Sequence, residues 1–302
     1  MKLFTLPAAL ALSTALLGAA ASAGQIAYSV ADNGTTLIKF DVTNPGATTA
    51  VGTFAGAATR IDSIDFRPAN DLLYGYSQES NSIVTINLFT AGTTFVSTPS
   101  TASSTRNLGI DFNPVPDRMR VVNSADQNLR INVTTGATTV DGTLAYAAGD
   151  ANAGANPNIT EASYTNSDTD IGTGTALFYI DSDLDILVST ASPNAGILNT
   201  VGALGVNTSD LTGFDILLAG PGNNVFYALL TDPSGIASLY TLNSATGAAT
   251  AVGVISQSAG SRPRGLAITR VPSPDSWSLA LLSAIGLGAA MSRRRARKIA
   301  NS

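Results

Sequence analysis

Ser63-Ile64-Asp65-Phe66, Gly109-Ile110-Asp111-Phe112, Glu161-Ala162-Ser163-Tyr164, Gly213-Phe214-Asp215-Ile216 and Gly265-Leu266-Ala267-Ile268 are five copies of one small-apolar-Asp/Ser/Ala-apolar pattern. The third residue of the pattern steps by 46, 52, 52 and 52 positions, a period of about one four-stranded propeller blade. Around each copy the other strands follow in order. An apolar strand comes next (Leu72 to Tyr76, Met119 to Val122, Leu177 to Ile180, Val225 to Leu229), then a strand ending in Asp or Asn ahead of a Gly, then a Thr/Val-rich strand. Asp41, Asn87, Asn132 and Asn243 stand before Gly46, Gly92, Gly136 and Gly247, which suits short hairpins because an Asx side chain bonds its own backbone. The N-terminal unit lacks a first strand, and a lone first strand, Arg264 to Arg270, ends the series. Pairing these two ends would close a ring and hide its edges. The expected fold is therefore all-β: a propeller of five four-stranded blades, with a β-sandwich as the alternative.

Both ends of the chain lie outside this repeat. Lys2, the apolar run Leu3 to Leu17 and Ala21-Ser22-Ala23 have the three parts of a secretory signal over residues 1–23, with maturation at Gly24. The repeat domain is expected over 24–270 and a tail over 271–302. In that tail Val271-Pro272-Ser273-Pro274 breaks the chain, 277–291 is apolar from Trp277 onward, and 293–298 contains Arg293, Arg294, Arg295, Arg297 and Lys298. An apolar run followed by a basic block is a stop-transfer pattern that leaves the body outside the cytoplasm. It predicts a transmembrane helix at 277–291 and at least transient anchoring in the inner membrane.

Of 302 residues only 12% are charged, and Cys and His are absent, which excludes disulfides, thiolate or imidazole catalysis and Cys/His zinc sites. Between Gly24 and Val271, ten Lys/Arg face twenty Asp/Glu, a formal charge of −10 that argues against nucleic acid as a partner.

Candidate functional residues are those where one repeat departs from the rest. The second strands align as Tyr28, Tyr74, Arg120, Tyr179 and Tyr227, with Arg118 aligned to Ile26, Leu72, Leu177 and Val225. A buried guanidinium requires partners, for which Asp111, Asp117 and Asp126 are candidates. Arg118 and Arg120 can make an anion site or an internal salt-bridge network, and Arg130 lies in a column expected to be exposed. The polar loop Leu144 to Asn158 adds Tyr146, Asp150 and Asn152 to the expected ligand-binding face. Asp150, Asn152, Asn156, Asn158 and Glu161 also echo a calcium loop, although Ala155 replaces its turn glycine. Asp181, Asp183 and Asp185 form a second oxygen-rich patch. Calcium is thus the one candidate ion, and no organic cofactor is expected. Asp65, Asp111 and Asp215 recur at the strand nearest the axis, where they would either carry glycoside chemistry or bond a neighbouring loop.

Two resemblances follow from these stretches. The tail Val271-Pro272-Ser273-Pro274, Trp277, the apolar run and the Arg block resemble a PEP-CTERM sorting signal, with Ser273 in place of the usual Glu. This implies handling by an exosortase-type sorting enzyme in an exopolysaccharide-producing Gram-negative bacterium. The body resembles the bacterial domain-of-unknown-function family 4394 through Gly109 to Pro114, Asp117 to Val122, Gln127 to Arg130, Tyr146 to Pro157 and Tyr164-Thr165-Asn166. That resemblance implies a propeller-like fold and no established activity. The expected function is an exported, cell-surface or matrix-associated binding or structural propeller, periplasmic or extracellular. Its expected partners are the secretion machinery, signal peptidase, the sorting enzyme, the membrane, and extracellular polysaccharide or a surface protein. The rival expectation is a carboxylate-dependent glycan hydrolase or lyase.

Overall fold

The structure, a computed structural model, describes residues 24–170, 172–256 and 261–269. These form a five-bladed β-propeller. Blade one contains Ile26–Ala31, Thr36–Asp41 and Asn44–Thr53, and its innermost strand is Arg264–Ile268 from the other end of the chain. Blade two is Ser63–Arg67, Leu72–Ser77, Ser82–Ile86 and Gly92–Ser97; blade three is Leu108–Asn113, Arg118–Asn123, Asn128–Ile131 and Thr138–Val140. Blade four is Ile159–Tyr164, Leu177–Asp181, Ile186–Ser192 and Ile197–Ala203; blade five is Thr212–Gly220, Asn223–Thr231, Ala237–Leu242 and Ala249–Val254. Two short strands, Ala55–Gly56 and Ala145–Tyr146, pair in parallel on the outer edges of blades two and four. The expected sorting tail and the signal segment lie outside the described residues, and among the described residues no helix is long and apolar enough to cross a membrane.

Closure follows the expected pairing. Arg264–Ile268 runs antiparallel to Ile26–Ala31, with Ala27 opposite Ile268 and Tyr28 opposite Ala267, and Ser29 Oγ donates to the Arg264 carbonyl at 3.0 Å. All five residues of this closing strand are buried. The anticipated turns also form: Asn87 Oδ1 accepts from the Phe89 and Thr90 amides, and Asn132 and Asn243 act in the same way.

Each apolar cluster sits between two blades. Tyr28, Leu37, Ile64 and Leu73 fill the first seam, and Phe214, Ile216, Phe226 and Ile180 fill the seam between blades four and five. At the axis the inner strands come so close that a side chain is not tolerated at some positions. A Cβ on Gly109 would lie 2.5 Å from the Glu161 Cα, and one on Gly213 would lie 2.7 Å from the Gly265 carbonyl carbon. Gly109→Ala should therefore lower stability by about 1–3 kcal/mol in urea unfolding, as overpacking does. Unfolding at the wild-type midpoint would show that the inner strands can part without cost.

Candidate functional site

The second-strand column packs each blade onto the next. Tyr28 meets Phe66 edge-on at 5.9 Å between ring centres, and Tyr74 meets Phe112 at 5.2 Å. In blade three the pair changes chemistry, because Arg120 Nε donates to the Tyr164 hydroxyl at 3.0 Å. Tyr164 occupies the position of Phe66 and Phe112, so the exchange of an aromatic for a guanidinium is matched by a hydroxyl on its neighbour. In blade four the sequence alignment slips by one residue. Phe178, not Tyr179, lies opposite Ser163, and Tyr179 faces the other seam opposite Ala162. The hairpin differs in length: twelve residues separate Tyr164 from its partner Leu177, whereas six separate Phe66 from Leu73 and Phe112 from Met119.

Arg120 is 1% exposed and is held by its surroundings. Nη1 donates to Asn128 Oδ1 at 2.6 Å and Asp141 Oδ2 at 2.7 Å, and Nη2 donates to Asn194 Oδ1 at 2.9 Å. Asp141 also receives Arg130 Nε and Nη2, at 2.6 and 2.9 Å. The carboxylates expected to pair with Arg120 do other things. Asp117 is bound by Arg67, which holds its carboxyl below the usual range, and Asp111 accepts the Ser163 hydroxyl at 2.9 Å. Asp126 Oδ1 is buried without a hydrogen-bond partner. Arg118 Nη1 donates only to the carbonyls of Pro116 and Asp117 in its own turn, each at 3.0 Å. Arg118, Arg120 and Arg130 nevertheless converge, with Asn113, Tyr164 and Asn194, on one open recess of about 260 Å³.

The other expected ligand-binding residues are not part of this recess. Tyr146 donates to Asp181 Oδ2 at 2.6 Å, and its phenol is pushed up by burial and that bond. Asp150 accepts the Thr200 amide and hydroxyl, both at 2.7 Å, while Asn152 donates to the same hydroxyl at 2.8 Å, so the loop is pinned to the outer strand of blade four. The residues of the expected calcium loop are engaged by protein groups. Asp150 spends its oxygens on Thr200, Asn156 Nδ2 bonds the Pro157 carbonyl, and Asn158 Nδ2 bonds Ser182, Asp183 and Asp210. Glu161 has by then entered the inner strand that begins at Ile159, where it is fully buried. A strand starting inside the twelve-residue spacing takes its last ligand away from the first. Asp181 serves structure too, accepting the amides of Asn158, Asp183 and Leu184.

The recurrent carboxylates line the axis. Asp65 Oδ2 accepts the Phe112 amide at 2.8 Å and Asp215 Oδ2 accepts the Ile268 amide at 2.6 Å, each clasping the next blade. Ser163 relays the same link, donating to Asp111 Oδ2 and accepting the Ile216 amide at 2.9 Å. One oxygen from each of Asp65, Asp111 and Asp215 lies within 4.8 Å of the others. Asp111 is driven well above the usual carboxylate range, first by burial and then by the charges of Asp65 and Asp215. Glu161 is raised by burial and by Asp65. The cavity beside Asp65 and Asp215 measures about 10 Å³, against the several hundred Å³ of an ordinary ligand pocket, and no sugar ring fits it.

Sequence reading missed the mouth of the channel. Arg106 Nε donates to Asp62 Oδ1 at 2.7 Å, and Arg264 approaches the same oxygen at 3.7 Å. Arg264 is lowered by burial, with the charges of Arg106 and Arg60 adding to this. Asn33, Leu211, Arg262 and Arg264 border a recess of about 380 Å³ there. Arg60 and Arg262 follow no column, so only folding gathers these cations.

The protein-family model described as "Domain of unknown function (DUF4394)" matches residues 36–267. The chain belongs to this family. Among curated proteins, none matches this DUF4394 chain. Solved structures similar to it include a chain from a crystal structure of a nidogen/laminin complex, at 12% identity and TM-score 0.49, covering 82% of this chain and 98% of that one. A structural genomics protein of unknown function from Bacteroides thetaiotaomicron is 14% identical at TM-score 0.46, covering 78% of this chain and 60% of that one. A putative 6-phosphogluconolactonase from Bacteroides uniformis is 12% identical at TM-score 0.40, covering 77% and 83%. Likenesses at this level carry nothing about function.

Arg120→Leu should cost about 3 kcal/mol in urea unfolding, because it takes one of two guanidinium partners from the buried Asp141 and the Arg120 donor from Asn128, Asn194 and Tyr164. Wild-type stability in that variant would remove Arg120 from the blade three to four seam.

Proposed function

We propose that this propeller is an exported, non-catalytic binding protein that recognises an anionic group in the recess between blades three and four. The observation that carries this reading is the meeting of Arg118, Arg120 and Arg130 on one open recess in a body whose formal charge is −10. Arg120 and Arg130 share the single carboxylate of Asp141, so positive charge from Arg118 and Arg130 is left to a ligand. Guanidinium forks suit carboxylates, and Asn113 and Asn194 add neutral polar side chains to the lining, of the kind that meet sugar hydroxyls. An acidic extracellular polysaccharide fits this chemistry.

Export and membrane attachment are supported by the signal-like residues 1–23 and by the apolar and basic parts of the tail, with Val271, Pro272, Pro274, Trp277 and Arg293 to Arg295 as its sorting elements. A chain lacking 271–302 should appear in the soluble exported fraction, while the full chain, before any sorting, fractionates with membranes. Equal membrane content in both would dismiss the anchor.

Titration calorimetry with a uronic-acid oligosaccharide should show binding that weakens with salt and falls at least tenfold in Arg118→Ala. Arg118 bonds only its own turn, so this variant keeps its fold. Undiminished binding in Arg118→Ala and Arg130→Ala would overturn the recess. A second reading places the anion at the channel mouth, where Arg60 Nε and Arg264 Nε are buried without a hydrogen-bond partner among the described residues, and Arg262→Ala is its test.

A further inference from the structure

We propose that the propeller channel holds a divalent cation, calcium by its ligand chemistry, between Asp65, Asp111 and Asp215. This goes beyond the anion recess and does not depend on it. The spacing fits one ion: calcium takes oxygens at about 2.3–2.6 Å, so oxygens touching the same ion are at most about 5 Å apart. The three carboxylate oxygens lie within 4.8 Å of one another.

A second observation is independent of the clustering. Asp111 is 2% exposed, yet its Oδ1 has no hydrogen-bond partner among the described residues. Its other oxygen accepts the Ser163 hydroxyl in the blade three to four clasp, and the Tyr164 amide also favours the charged form of this carboxyl. An orphaned, buried carboxylate oxygen pays an uncompensated desolvation cost, largest when it is charged, and a cation offsets that cost. The clasps made by Asp65 and Asp215 to the Phe112 and Ile268 amides likewise fix their carboxylates before any ion arrives.

The donor set selects the metal. All three ligands are hard oxygens, and the chain has neither His nor Cys, so zinc and copper are poorly served. Magnesium demands a near-ideal octahedron, whereas calcium accepts irregular shells completed by water. The adjoining cavity of about 10 Å³, bordered by Asp65, Ser167 and Asp215, is the size of one water molecule. Calcium is plentiful outside the cytoplasm, where the signal-like N-terminus would direct the chain.

The test uses the full chain, treated with chelator and then dialysed. Addition of 1 mM Ca2+ should raise its melting midpoint by about 5 °C, with a smaller effect from Mg2+, as expected for an ion that binds only the folded state. Tb3+ should give luminescence sensitised by tyrosine, since Tyr74 and Tyr227 lie opposite Asp65 and Asp215 in the strand register. Asp111→Asn and, separately, Asp215→Asn should each weaken Ca2+ at least tenfold. Asp183→Asn, in the outer acidic patch, should leave the response unchanged. The proposal is overturned if no ion moves the wild-type midpoint, in which case protons neutralise the channel. It is equally overturned if Asp111→Asn and Asp215→Asn respond as wild type does while Asp183→Asn does not, which would place the ion on the surface.

Discussion

Five inner strands brought to one axis leave almost no space between them, and this crowding governs the rest of the molecule. It requires glycine at Gly109 and Gly213, where a Cβ would run into the next blade. It also brings side chains from separate blades within bonding range of one another. The carboxylates at Asp65, Asp111 and Asp215 exist under that constraint, each reaching one blade forward or to its serine relay. Hydrogen bonds along the axis thus replace apolar contact where the seams are too narrow for large side chains. The antiparallel docking of Arg264–Ile268 on Ile26–Ala31 makes the ring complete and removes the edges that an open stack would expose.

Farther from the axis the seams widen and are filled by paired aromatics. The exception at blade three shows how a repeat acquires a polar feature without losing its packing. Arg120 replaces a tyrosine, Tyr164 supplies a hydroxyl in place of a phenylalanine ring edge, and Asp141, Asn128 and Asn194 accept the remaining protons. Most of the guanidinium is consumed in holding blades three and four together, so the residue that stood out most in the sequence is chiefly a strut. The neighbouring Arg118 and Arg130 carry the charge that reaches the recess. At the opposite extreme, the axis concentrates negative charge with Asp111 Oδ1 unbonded, while the channel mouth gathers guanidiniums around Asp62.

The architecture was legible because a blade repeats a pairing pattern, and pairing demands alternation that survives sequence drift. The Asx turns and the closure of the two ends could be read for the same reason. The column reading failed at Tyr179, because a longer hairpin shifts which residue lies opposite Ser163, and similarity of residue type pointed to the wrong one. The calcium-loop spacing assumes one continuous loop, whereas a strand begins at Ile159 within it and carries Glu161 into the inner sheet. Asp141 was not foreseen as the partner of Arg120: it follows an outer strand of the same blade, outside every column, and its side chain is brought there by the turn after Val140.

By itself the sequence determined the number of blades, the order of strands and the joining of its own ends, since these depend on periodicity and hydrogen-bonding alternation along the chain. It also placed carboxylates on the innermost strands. Tertiary structure alone decided what those groups meet. Whether a buried arginine is neutralised, which carboxylate oxygen stays unbonded and which cations share a mouth depend on distances between blades tens to hundreds of residues apart, and Coulomb and hydrogen-bond energies fall off over ångströms of space, not along the chain.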